Sequence, residues 1–337
     1  MSVLFLTHAR YLDHVAGARH PERPARLEAV FEGVRRAGVG DALVAIDPRP
    51  ATRDELELIH PAAYLDAVQR FCSAGGGRID PDTGASPDSY DVAVLAAGAG
   101  LTAVEQLDAG MGTSAFCAVR PPGHHALANR SMGFCLLNNV AVTAAALAQR
   151  GERVLIVDFD AHHGNGTQDV FYADARVLYV SMHEWPLYPG TGDLDEIGSG
   201  EGRGSTVNFP LPAGATGDVY LSAIDEVVGP LAETWQPNWL LLSAGFDAHR
   251  CDPLTGLGLS SGDFGDITAR LSRLVDPGRV VAFLEGGYDL DALADSTAAC
   301  LGALAGAAYR AEASTSGGPG HEIPAAARKV RDRALDA

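Results

Sequence analysis

Val154-Leu155-Ile156-Val157-Asp158-Phe159-Asp160-Ala161-His162-His163-Gly164-Asn165-Gly166 runs from four β-favouring apolar residues straight into carboxylates, imidazoles and a Gly-Asn-Gly turn. A continuous apolar run suits a strand buried on both faces, as in a parallel sheet. Ligands of such sheets bind beyond the carboxyl ends of the strands, where Asp158, Asp160 and His162 fall. In extended chain, residues i and i+2 point the same way, so these three share one face. Carboxylate beside imidazole is the ligand chemistry of a divalent metal, zinc first. The competing interpretation, one Asp capping a helix and the histidines filling a turn, leaves Asp158, Asp160, His162 and His163 crowded behind a buried strand without partners, which is costly.

Outward from this stretch the chain alternates strand and helix. Strands are expected at Val3–Leu6, Leu43–Ile46, Ser114–Val119, Val177–Ser181, Val207–Phe209, Trp239–Ser243 and Val280–Leu284. Helices are expected at Pro24–Ala37, Arg53–Ile59, Pro61–Phe71, Asp88–Leu107, Leu137–Gln149, Thr167–Tyr172, Gly217–Thr234, Gly262–Leu274 and Leu290–Ala307. Apolar strands alternating with helices imply an α/β fold, a parallel sheet covered by helices on both faces. Two long loops, Gly75–Pro87 and Pro186–Gly204, interrupt the alternation, and loops of that length are often functional. Residues 1–310 read as one domain. Residues 311–337 read as a flexible segment, Ser/Gly/Pro-rich from Glu312 to His321, with a terminal helix over Ala325–Leu335.

The polar residues fall at one topological place. Predicted strands stop at Arg120-Pro121-Pro122-Gly123-His124-His125, at Asp158-x-Asp160-x-His162, at Ser181-Met182-His183, at Ser243-Ala244-Gly245-Phe246-Asp247 and at Glu285-Gly286-Gly287-Tyr288. All lie at carboxyl ends, hence on one rim.

Composition narrows the class. The 337 residues include 43 Asp and Glu against 25 Lys and Arg, a formal charge of −18, with 47% hydrophobic residues. That balance argues against general nucleic-acid binding, which needs clustered basic residues. Five scattered cysteines without a Cys-x-x-Cys pair suit reduced thiols. Met1–His8 lacks the basic start of a signal peptide, and no apolar run approaches a membrane span. A cytoplasmic protein without membrane or nucleic-acid partners is expected; its oligomeric state stays open.

These motifs, with His20-Pro21-Glu22-Arg23-Pro24-x-Arg26-Leu27, Gly133-Phe134-Cys135, Asn138-Asn139, Tyr188-Pro189-Gly190-Thr191-Gly192 and Gly245-Phe246-Asp247-x-His249-x-x-Asp252-Pro253-Leu254, resemble the histone deacetylase superfamily. They are most like the class II-type bacterial deacetylase-like amidohydrolases and the acetylpolyamine amidohydrolase group. The resemblance implies a three-layer α/β/α sandwich around a mainly parallel, eight-stranded sheet. It implies zinc (or ferrous iron in the cell) on Asp160, His162 and Asp247. It casts His125 as general base and acid, His124 as charge stabiliser, Asp158 and Asn165 as their holders, and Tyr288 as oxyanion donor. It places Phe134 and Tyr188 as tunnel walls, Gly133, Leu254 and Gly287 along the substrate path, and Asp82 at the rim against substrate backbone. Asp158, Asp160, His162 and Ser181 match a structural potassium site, and Arg26 lines an internal cavity behind the metal. Cys135 is expected to line the tunnel without acting as nucleophile.

Other polar residues have plainer expectations. Glu22 and Arg23 suit a loop salt bridge, His60 a helix start before Pro61, and His163, pointing opposite to His162, a structural role. His8, His14 and His321 are expected outside the chemistry. His183 and His249 are divided between supporting the metal site and packing. The implied reaction is hydrolysis of an acyl amide, with an acyl-lysine-like substrate favoured over an acetylpolyamine or other small amide, since Leu254 stands where polyamine-selective relatives often carry an acid. A two-metal ureohydrolase would need more bridging carboxylates than Phe159 and Ala161 leave room for. A non-catalytic acyl-lysine binder would lack a ligand or Tyr288.

Overall fold

The computed structural model describes residues 1–335. Ten strands form in chain order: β1 (Val3–Leu6), β2 (Leu43–Ile46), β3 (Gly77–Arg78), β4 (Gly84–Ala85), β5 (Ser114–Cys117), β6 (Val154–Asp158), β7 (Val177–Glu184), β8 (Thr206–Leu211), β9 (Trp239–Ala244) and β10 (Val280–Leu284). Eight make one sheet in the order β2-β1-β5-β10-β9-β6-β7-β8, and β3 and β4 pair as a small antiparallel hairpin. Every pairing in the large sheet is parallel.

The helices are α1 (Ala25–Ala37), α2 (Arg53–Leu56), α3 (Ala62–Ser73), α4 (Ser89–Asp108), α5 (Asn139–Gln149), α6 (Asn165–Phe171), α7 (Gly217–Ala223), α8 (Gly229–Trp235), α9 (Ser261–Leu271), α10 (Leu290–Ala305) and α11 (Ile323–Leu335). α1, α10, α9 and α7 pack in succession over one face, and α3, α4 and α5 over the other. Val154, Leu155, Ile156 and Val157 of β6 are wholly buried, as the unbroken apolar run requires. Each contributes about 1.5–3 kcal/mol through burial. None of the described helices is long and apolar enough to cross a membrane.

Strand order positions the site. From β6 the chain steps outward to β7 and β8, then returns to lay β9 on the opposite flank of β6. The connections leaving β6 and β9 thus part in opposite directions and open a crevice at their carboxyl ends. Asp158 of β6 stands beside Ser243 of β9 and Ser181 of β7. Asp160 and His162 follow β6, and Asp247 follows β9, so both sides of the crevice carry acid.

Two expectations change. The helix over Gly217–Thr234 is interrupted by a π turn at Ile224–Val228. Pro230 has no N–H to donate back to Glu226, so the ladder widens there. The segment Glu312–His321, expected to be loose, is fastened down. Thr315 N–H donates to Asp263 (2.9 Å), Gly317 N–H to Asp218 (2.9 Å) and Gly318 N–H to the Thr216 hydroxyl (2.9 Å). A Cβ on Gly318 would lie 2.4 Å from the Gly214 carbonyl, so this glycine serves close approach. A helix follows the segment, beginning at Ile323.

Candidate active site

Asp160, His162 and Asp247 offer three ligand atoms within 4.8 Å of one another, the one such group among the described residues. His162 Nδ1 lies 3.0 Å from Asp247 Oδ2 and 3.3 Å from Asp160 Oδ1. Backbone donors aim both carboxylates. Gly286 N–H donates to Asp160 Oδ2 (2.8 Å), His162 N–H to Asp160 Oδ1 (2.9 Å) and Ala161 N–H to Asp247 Oδ1 (2.8 Å). Gly245 and Gly286 permit this crowding: a Cβ would lie 1.9 Å from Asp160 Oδ2 at the first and 2.1 Å from Asp247 Oδ2 at the second. Among the described residues no Lys or Arg pairs with these two nearly inaccessible carboxylates and their imidazole, which together form an acidic donor set. A divalent cation fits it.

The histidine pair is held by unlike partners. His124 Nδ1 lies 3.0 Å from Asp158 Oδ2, and its Nε2 is 3.9 Å from Asp160 Oδ1. His125 Nδ1 donates to the neutral Asn165 Oδ1 at 2.8 Å, which leaves Nε2 to accept. Burial alone would lower the His124 imidazole, but the charges of Asp160 and Asp158 lift it to about 10. Burial, then repulsion by His124 and His162, pushes His125 well below the ordinary histidine range. A cation among the aspartates would offset part of the field that charges His124.

His124, His125 and His162 open onto a cavity of about 200 Å³. Its lining includes His124, His125, His162, Phe134, Tyr188, Gly133, Leu254, Asp82 and Tyr288. Tyr288 stands edge-on to Phe134 (5.7 Å) and Tyr188 edge-on to His125 (5.2 Å), giving the narrow passage aromatic walls. Phe134 holds φ of 68°, costly for an aromatic residue, with its N–H bound to the Thr83 hydroxyl (3.1 Å). Asp82 at the mouth accepts from Gly133 N–H (3.2 Å) and the Thr83 hydroxyl (2.7 Å). Two expectations need correction. Gly287 is not in the lining: its carbonyl turns away to accept from Arg26 Nε (2.7 Å), and Gly286 takes the wall. Cys135 is also absent from the lining; its thiol is buried against the Gly133 carbonyl (3.2 Å).

The structure also shows contacts of motif residues that the sequence does not reveal. Asp252 Oδ2 accepts from Tyr288 N–H (2.7 Å) and Oδ1 from Leu254 N–H (2.9 Å), joining two wall residues. Burial and the Asp247 charge raise this carboxyl to about 7. Glu285 Oε2 accepts from Gly123 N–H (2.7 Å) and His124 N–H (3.2 Å), and burial lifts its carboxyl to about 7. Arg26 spans the carbonyls of Glu285 and Gly287, its guanidinium 4.9 Å from the Tyr288 ring centroid. Glu22, expected in a surface pair with Arg23, is instead wholly buried and bidentate to Arg120 (2.5 and 2.7 Å). Wrapping of the N-terminal loop brings together residues 98 apart in sequence.

The remaining histidines stand outside the cavity lining. His163 contacts Thr191 and Gln168, His183 contacts Ser181 and the Gly192 carbonyl, and His249 contacts Glu312. His60, expected only to start a helix, is buried and bridges the Ala128 carbonyl and the Asn138 N–H.

Comparison with known proteins agrees with this geometry. The family model "Histone deacetylase domain" matches residues 20–304. A probable deacetylase of Archaeoglobus fulgidus is 39% identical over 89% of this chain and 85% of its own. A histone deacetylase-like amidohydrolase of Pseudomonas aeruginosa is 37% identical over 80% of this chain and 72% of its own. The crystal structure of the HDA15 HD domain superposes with a TM-score of 0.87 at 36% identity, covering 99% of this chain and 94% of that one. The chain belongs to the histone deacetylase superfamily and is a hydrolase of amide bonds.

Proposed function

We propose that the protein is a zinc-dependent deacylase that removes acetyl or another short acyl group from a lysine-like amine, acting in the cytoplasm. One observation carries this: His162 of an acidic metal-capable triad, a paired-histidine dyad and a tyrosine open onto one cavity with aromatic walls. An aromatic passage suits the apolar methylene chain of an acyl-lysine, and Leu254 at its mouth offers no charge to a polyamine.

Asp160, His162 and Asp247 would hold the metal, leaving room for water and substrate. When bound, the metal supplies Lewis acidity toward the carbonyl and lowers the pKa of water. Ferrous iron fits the same donors. His125, with Nε2 open, takes a proton from the attacking water and returns it to the departing amine. His124, charged by its two carboxylates, stabilises negative charge beside the reacting carbon. The Tyr288 hydroxyl donates to the developing oxyanion, a contribution of about 3–4 kcal/mol in comparable sites. Water and amide thus become a carboxylic acid and a free amine. Asp158 and Ser181, neighbours in register, belong to the position where a potassium ion would sit against the ends of β6 and β7. Oxygen ligands there would suit a hard cation.

The test is turnover of a fluorogenic acetyl-lysine peptide by zinc-loaded protein, with Tyr288→Phe and Asp247→Ala alongside. Both variants should lose about a hundredfold or more, and Asp247→Ala should also lose bound zinc. Inertness of the wild type on acetyl-lysine, trifluoroacetyl-lysine and acetylpolyamine alike would sink the proposal.

A further inference from the structure

The mouth of the cavity carries charge that the hydrolytic step does not use. Asp82 borders both the catalytic cavity and a second concavity of about 340 Å³, lined by Arg19, His20, Arg78 and the turn Pro81–Gly84. On the other side of Arg78 lies a third hollow of about 360 Å³, bordered by Arg130, Asp80 and Tyr64. His20 ties this surface to the tunnel: its ring stands edge-on to Phe134 at 4.5 Å, and its Nε2 is 2.8 Å from the Asp82 carbonyl.

Arg19, Arg78 and Arg130 are exposed, and their guanidiniums have no hydrogen bond or ion pair among the described residues. Among the described residues Arg23, Arg70 and Arg273 are exposed and unpaired too, so what sets these three apart is that they line two adjoining hollows. Elsewhere Arg36, Arg49, Arg53, Arg176, Arg270 and Arg310 each lie against a carboxylate. The acids facing these hollows, Asp80 and Asp82, are engaged by the hairpin itself. Asp80 Oδ1 accepts from the N–H groups of Asp82 (2.9 Å) and Thr83 (2.6 Å), and Asp82 Oδ1 from the Thr83 hydroxyl and Gly133 N–H. Against the −18 of the whole chain, this patch presents open guanidinium donors.

An extended peptide advances about 3.3 Å per residue and turns alternate side chains to opposite sides. With an acyl-lysine in the tunnel and its backbone beside Asp82, side chains one or two residues away lie over the arginine-lined hollows. We propose that these hollows form an anion subsite, and that the substrates are acyl-lysine peptides or proteins carrying Asp or Glu within two residues of the acylated lysine. The proposal rests on the deacylase assignment. It also gives the rim a preference opposite to the chain's long-range field, which draws cations.

Three acetyl-lysine peptides test it, with Glu, Gln or Lys flanking the acylated residue, assayed with wild type and with the double variant Arg19→Gln/Arg78→Gln. Exposed charge pairs contribute modestly, so the Glu peptide should exceed the Gln peptide in kcat/KM by about threefold to tenfold at low salt, mainly through KM. The Lys peptide should be poorest. The Glu advantage should fade near 1 M salt, where the screening length is about 3 Å. It should also shrink in the double variant, which keeps Arg130 and whose rate on the Gln peptide stays at the wild-type level. Equal rates on Glu and Gln peptides in wild type, or a Glu preference undiminished in the double variant, would overturn the subsite alone. No turnover of any peptide, the neutral one included, would overturn the deacylase assignment and the subsite with it.

Discussion

Two buried carboxylate clusters flank the Gly286-Gly287-Tyr288 loop, and they settle their charge in opposite ways. Behind the loop, Glu22 is bidentate to Arg120, and Arg26 lies beside it at 3.5 Å. In front, the charged partners of Asp158, Asp160 and Asp247 among the described residues are imidazoles, with no guanidinium or ammonium paired to them. Both clusters are almost wholly inaccessible. A buried charge needs a partner, so the rear cluster is complete and structural, whereas the front one calls for a cation from outside. That contrast singles out the side suited to a metal more firmly than residue types alone, since the rear cluster also sets a histidine, His14, 3.4 Å from its acid.

The largest expected effect comes from breaking the rear cluster. Glu22→Gln leaves Arg120 buried without its counter-charge, a loss of about 3–5 kcal/mol. Thermal unfolding should fall by roughly 5–10 °C while the folded protein's capacity to bind a divalent metal is unchanged. Should that variant not accumulate, Glu22→Leu/Arg120→Met removes both charges and ought to recover most of the stability, because apolar replacement of a buried pair is often neutral. A melting temperature unmoved by Glu22→Gln would show that the rear pair contributes nothing net. Loss of metal binding by folded protein would show that the two clusters are not separate.

A smaller effect is expected at Asp252, which holds the Tyr288 and Leu254 N–H groups. Asp252→Asn keeps the volume but weakens the acceptor facing Tyr288. Slight misplacement of a reacting group is expensive, so kcat should drop about tenfold with KM, zinc content and melting temperature little changed. An unaltered kcat would mean that the Arg26 contacts to Glu285 and Gly287 position the tyrosine unaided.

How much of this was legible in the sequence follows from the range of each interaction. Strand β6 and the acids after it declare themselves because burial and i,i+2 alternation are local. The rim could be assembled because five strands end in short polar motifs, and family resemblance supplied roles that spacing alone could not. Glu22–Arg120 and Arg26–Glu285 were hidden: partners so far apart leave no periodic trace, and Glu22 beside Arg23 resembles any surface pair. The Ser/Gly/Pro composition of 312–321 misled in another way. Those residues free the backbone to approach closely, and its N–H groups dock on Asp263, Asp218 and Thr216. Composition signals an unusual backbone, and only the docking surface shows whether that backbone is held.

The smallest effect concerns that held segment. Glu312 accepts from Ser261 N–H (2.9 Å), lies 2.8 Å from His249 Nε2 and pairs with Arg250. It thereby ties the tail to the loop that follows Asp247. Burial alone would raise its carboxyl, but the Ser261 N–H and the His249 contact outweigh burial and hold it down at about 2. A carboxylate with a depressed folded pKa stabilises above its unfolded value, about 4.3, and that contribution drains as pH falls toward the folded value. Since the group is partly exposed, solvent screening limits its worth to about 1 kcal/mol. Glu312→Gln should therefore lie about 1 kcal/mol below wild type in denaturant unfolding at pH 7, and the gap should narrow steadily between about pH 4.3 and pH 2. A gap independent of pH across that window would mean that shape, not charge, fastens the tail. No gap at all would mean that the backbone contacts of Thr315, Gly317 and Gly318 suffice to hold it beside the metal-binding loop.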